Sequence, residues 1–65
     1  MKFKYDKEVD IVYIKLSDKP VVECDEDKPG FIIDYDADGN IAGMEILDAS
    51  NRMQDPYKIE YESTE

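Results

Sequence analysis

The stretch that most constrains the fold is Phe31 to Leu47, FIIDYDADGNIAGMEIL, in which two apolar runs flank Ala37-Asp38-Gly39-Asn40. Two structures compete for it. As a hairpin, Asp38-Gly39 is the turn, because glycine takes positive φ without steric cost and Asn40 tolerates the left-handed region. As a metal loop, Asp34, Asp36, Asp38 and Glu45 fall at EF-hand ligand spacing, with Gly39 at the sharp turn. An EF-hand needs a helix on each side. Here Pro29-Gly30 stands just upstream, Phe31-Ile32-Ile33 is short and β-prone, and Gly43 interrupts the downstream run. The surroundings favour the hairpin, with weak calcium binding by Asp34, Asp36 and Asp38 at its tip as the alternative. No other cofactor is indicated.

The remaining apolar runs repeat the period of two that marks half-buried strands. Phe3 and Tyr5 alternate with lysines in Lys2 to Asp6, and Val12, Ile14 and Leu16 share one face of Asp10 to Ser17. Val21 to Asp25 reads as a short strand after Pro20, and Lys28-Pro29-Gly30 as a turn. Past Leu47 the pattern changes. Asp48 to Met53 reads as a short helix with Asp48 as N-cap. Tyr57, Ile59 and Tyr61 then return to strand alternation. The fold expected is mainly β: an antiparallel meander of four to five strands over residues 1–52, a short helical segment after residue 47, and a 53–65 extension able to add a strand. Phe3, Tyr5, Val12, Ile14, Leu16, Ile33, Met44 and Ile46 are the expected core. An internal repeat at an offset of thirty pairs Tyr5-Asp6 with Tyr35-Asp36 and Ile14 with Met44; shared hairpin chemistry accounts for it as well as duplication does.

At 65 residues the chain holds one domain, and a domain of this size buries only about 60% of its unfolded surface. One cysteine and no histidine exclude a disulfide and a Cys/His zinc staple. Completion of the core by a second copy, as a homodimer, is therefore expected. Neither a secretion signal nor a run long enough for a membrane span is visible, which with a lone thiol points to the cytoplasm.

The net charge is −9, of which residues 1–30 contribute −2 and residues 31–65 contribute −7. Such a surface repels phosphate backbones, so the expected partner is a basic protein rather than nucleic acid. Tyr57, Ile59 and Tyr61 are the candidate partner-binding residues. Catalysis is not expected: there is no histidine base, no phosphate loop and little room for a pocket. Cys24, beside Glu23, Asp25 and Glu26, reads as a buried packing residue, since neighbouring anions oppose a reactive thiolate.

Taken as a set, Lys4-Tyr5-Asp6, Asp10, Tyr13-Ile14, Leu16-Ser17-Asp18, Ile33-Asp34-Tyr35-Asp36, Asp38-Gly39-Asn40 and Glu45-Ile46-Leu47-Asp48-Ala49-Ser50 resemble the domain-of-unknown-function family 2283. The resemblance covers residues 2 to about 52. It implies a small, mostly prokaryotic protein without assigned chemistry. Some family members lie beside small toxin-like genes, which implies an antitoxin-like or accessory role as an interaction module.

Overall fold

The computed structural model describes residues 1–64. Five strands form one sheet: β1 (Lys2–Asp6), β2 (Ile11–Lys15), β3 (Glu23–Lys28), β4 (Phe31–Tyr35) and β5 (Ile41–Leu47), followed by α1 (Ala49–Arg52). All pairings are antiparallel and the spatial order is β1-β2-β5-β4-β3. The mainly β fold with one short helix is thus as expected from the alternation, but the strands are not all in chain order. β3, β4 and β5 form a meander that returns to pair β5 with β2, a Greek-key arrangement. Residues 16–22 make the long connection along the lower end of the sheet. Leu16 and Ser17 N–H groups donate to the Ala42 carbonyl, and Val22 N–H donates to that of Tyr35.

The offset-thirty repeat has a structural counterpart. β1 pairs with β2 and β4 with β5 in the same register, Phe3↔Ile14 matching Ile33↔Met44. The antiparallel β2–β5 pairing relates the two hairpins by a pseudo-two-fold normal to the sheet, passing between Ile14 and Met44. The match fails at the end of β4, where a register shift after Asp34 sets Tyr35 opposite Ile41.

Register assigns the faces. Phe3, Tyr5, Val12, Ile14, Phe31, Ile33, Met44 and Ile46 share the first face; Lys4, Tyr13, Ile32, Asp34, Glu45 and Cys24 share the second. α1 and the segment to Tyr57 lie over the upper half of the first face. There the Arg52 guanidinium sits 5.0 Å from the Phe31 ring centre, and Tyr57 meets Tyr5 edge-on at 5.0 Å. Val12 and Ala49 are fully buried beneath this cover. Tyr5 and Ile46 beside them are half-buried, as are Phe3, Ile14, Ile33 and Met44 in the lower half, over which no described helix or strand lies. Leu16 corrects the expectation outright: it is exposed, since β2 ends at Lys15 and the connection turns it away from the sheet.

Three further expectations are corrected. Val21 and Val22 precede β3 and are exposed, and the strand instead takes the acidic run Glu23–Lys28. Asp48 does not cap α1 through its side chain; it adopts φ 56°. Asp10, itself at φ 58°, takes that role from the β1–β2 turn. Its carboxylate accepts Ser50 N–H at 3.0 Å and Ser50 Oγ–H at 2.7 Å, while its carbonyl accepts Ala49 N–H at 3.0 Å. Finally, Tyr57, Ile59 and Tyr61 join no strand; residues 58–64 have no regular secondary structure and are exposed. Among the described residues no helix is long and apolar enough to cross a membrane.

Candidate functional site

The three carboxylates expected at the hairpin tip are drawn into separate tasks. Asp36 is buried, and its Oδ1 accepts the N–H groups of Asp38 at 2.9 Å and Asn40 at 3.0 Å, closing the turn on itself. Asp38 points outward and pairs with Lys19 of the long connection at 3.2 Å. Asp34 lies on the second face of the sheet. The fold thus sends the three carboxylates to different neighbours, and Glu45 sits one strand across from Asp34 rather than at the turn.

The cluster the fold does assemble joins Cys24 of β3, Asp34 of β4 and Glu45 of β5, with one ligand-type atom of each within 4.8 Å of the others. Cys24 stands directly opposite Asp34 in the register, and Glu45 lies diagonally across from it. Burial, then hydrogen bonding to Asp34 and its charge, raise the Glu45 carboxyl above its ordinary value. Hydrogen bonding to Asp34, followed by burial, raises the Cys24 thiol. The sharing is loose, because Asp34 Oδ1 is buried with no hydrogen-bond partner. Such a trio favours the protonated thiol and carboxyl over a thiolate nucleophile. As metal ligands the three offer two hard oxygens and a thiol whose neighbours keep it protonated, a poor start for a thiolate site. The hollow beside Asp34, lined also by Tyr13, Lys19, Val21 and Gly43, has a volume of about 220 Å³, below the roughly 300–1,000 Å³ of small-molecule sites.

Cys24 is exposed rather than the buried packing residue expected, because β3 is an edge strand. Sequence reasoning missed the cluster. Alternation puts Asp34 on the wet face, but the β3–β4 register that brings Cys24 opposite depends on a shift between Glu26 and Lys28. Only the Pro29-Gly30 turn hinted at that pairing.

β3 is the other feature of functional interest. All six of its residues are exposed, and it pairs on one side only, with β4. Glu23, Asp25, Glu26 and Asp27 line it. Glu26 is partly committed, since its Oε2 accepts Gly30 N–H at 2.9 Å. Of the residues expected to bind a partner, Tyr57 is partly engaged by Tyr5, while Ile59 and Tyr61 project from the exposed tail.

The combination of an N-terminal hairpin and the FIIDYDADGN–MEILDAS hairpin in one sheet spans the segment that the family described as Protein of unknown function (DUF2283) matches, residues 2–50. The chain belongs to this family. Residues 51–64, which carry the end of α1 and the tail, lie beyond the matched segment. No curated protein and no solved structure matches the chain.

Proposed function

We propose that this DUF2283 protein is a non-catalytic interaction module whose open, acidic β3 edge takes a strand from a basic protein partner. The observation that supports it is β3 itself: six exposed residues, four of them carboxylates, with one row of backbone N–H and C=O groups unpaired. Strand addition supplies main-chain hydrogen bonds, and the charges select what is added. Like charge disfavours pairing of two such edges from two copies of the chain, whereas a lysine- or arginine-rich strand is attracted and steered in. An antitoxin-like role follows if the partner is a basic nuclease-type protein whose phosphate-binding surface becomes covered.

The test is a calorimetric titration with a synthetic strand peptide of alternating lysine and valine, at low and high salt. Binding is expected at low salt, weakening steeply as salt rises. Replacing Glu23→Gln, Asp25→Asn and Asp27→Asn together is expected to weaken it at least tenfold, with Glu26 left to hold Gly30. Binding indifferent to both salt and the triple substitution refutes the reading.

A further inference from the structure

We propose that the uncovered lower half of the first sheet face seats a second copy of this chain, first face to first face, through Phe3, Ile14, Ile33, Tyr35, Ile41 and Met44. The proposal goes beyond the β3-edge reading, whose Glu23 and Asp25 only border the patch, opposite Tyr35 and Ile33.

Surface area points to a missing layer. A compact 7.5 kDa monomer exposes about 4,200 Å² by the usual scaling, whereas this chain exposes 5252 Å². Its radius of gyration is 12.7 Å, against about 10.7 Å for a compact chain of this length. Two features carry the excess of about 1,000 Å²: the exposed tail and the uncovered face. The uncovered face accounts for only part of that excess, which as a whole compares with the roughly 800 Å² one partner contributes to a standard interface. The molecule is a slab of 34 × 33 × 19 Å, and domains bury a sheet's apolar face against a second layer. α1 supplies that layer only over Val12 and its surroundings. Ile41, which the register shift sets opposite Tyr35 on the first face, is 49% exposed, and Phe3, Ile14, Ile33 and Met44 are half-buried.

Charge distinguishes the occupant. On β1, β2, β4 and β5 the first face carries no charged side chain, and Glu23 and Asp25 of β3 meet it only at its edge, opposite Tyr35 and Ile33, while the second face carries Lys2, Lys4, Asp6, Lys15, Asp34 and Glu45. A basic partner finds carboxylates only at the β3 rim of the first face and nothing to pair with over its apolar centre. An identical apolar patch is matched to it by construction, as an isologous interface requires. The sheets would stack about 10 Å apart as in a β-sandwich.

Salt separates this association from capture at β3. Each copy carries −9, so screening strengthens self-association, whereas it weakens binding to a basic partner. Sedimentation equilibrium of the full chain is expected to give twice the chain mass, tightening as salt rises. Ile41→Glu, at a residue exposed enough to leave the fold intact, is expected to weaken the dimer at least tenfold, and Met44→Glu to abolish it. Circular dichroism checks that each variant keeps its sheet. Tyr13→Glu on the second face is expected to leave the dimer unchanged, and the triple β3 variant, which removes like charges at the rim of the first face, is expected to keep or tighten it. Cys24, on the second face, should react with a thiol reagent as completely in the dimer as in the monomer. A chain monomeric at high protein and salt concentration overturns the proposal without touching the β3 reading. So does a dimer that tolerates Ile41→Glu and shields Cys24, which would place the contact on the other face.

Discussion

The β1–β2 and β4–β5 hairpins share a register residue for residue over most of their length, yet their turns do opposite things. Each turn begins with an aspartate that accepts the N–H two residues on: Asp6 from Glu8 at 3.0 Å, and Asp36 from Asp38 at 2.9 Å. There the likeness stops. The lower turn spends its buried carboxylate on itself, adding Asn40 N–H. The upper turn ends in Asp10, whose carboxylate reaches outward to Tyr5 at 2.7 Å and to Ser50. One turn is a local closure and the other is a joint between the sheet and α1. Hairpin sequence alone therefore sets pairing; what a turn holds beyond itself depends on which residue adopts positive φ and where the chain returns.

The sharpest way to break that contrast is Asp10→Ala. It removes the carboxylate contacts to Tyr5 and Ser50 and leaves the α1 N-terminus without its side-chain acceptor. The largest fall in urea midpoint among these substitutions is expected, with loss of Tyr57 packing visible as a change in near-ultraviolet circular dichroism. Asp36→Ala strands two N–H groups of a partly buried turn; about 1–2 kcal/mol of destabilisation is expected, with the near-ultraviolet signal of the Tyr5–Tyr57 pair unchanged.

Titration separates the halves again. Hydrogen bonds from Tyr5 and then Ser50 hold the Asp10 carboxyl below its ordinary value. Its contribution is complete above pH 3.8 and is lost as the pH falls through the lowered folded value. Bonding to Asp10, and then burial, push the Tyr5 hydroxyl up to about 12. That contribution is complete below pH 10.0 and is lost as the pH rises through about 12. Glu45 has the sign opposite to Asp10: its raised folded value gives stability complete below pH 4.5 and lost as the pH rises through the folded value. Urea midpoints across pH should therefore lose their acid-side drop in Asp10→Asn. In Glu45→Gln the decline above pH 4.5 should vanish. The smallest effect is expected for Lys19→Ala, which breaks an exposed pair with Asp38 and should shift stability by about 0.5 kcal/mol or less.

How much of this was legible depends on whether the deciding contacts are local. β1 and β5 have the bounds their alternation implies, β4 ends one residue short of Asp36, and the Asp38-Gly39 turn stands where its chemistry puts it. β3 was misplaced because Val21-Val22 has the stronger β propensity, while the acidic run is acceptable only at an edge, with water on both sides. The Asp10–Ser50 joint spans forty residues, and nothing near either residue announces it. The same holds for Cys24, Asp34 and Glu45, brought together from three strands by register alone. Calcium spacing at Asp34, Asp36 and Asp38 was legible as a pattern, but β4 ends at Tyr35, so Asp36 and Asp38 belong to the turn and meet other partners than Asp34 does.

The Greek-key connection through residues 16–22 also bears on how the chain reaches this structure. The central strand of the sheet, β5, is the fifth in chain order, and it alone links β2 to β4. Until it pairs, β1–β2 and β3–β4 are two separate two-stranded ribbons, each marginal in water. The sheet therefore closes in one late, cooperative step across a long sequence separation, which makes folding slow for so short a chain. During synthesis at the ribosome, the ribbons remain provisional until Leu47 has cleared the exit tunnel.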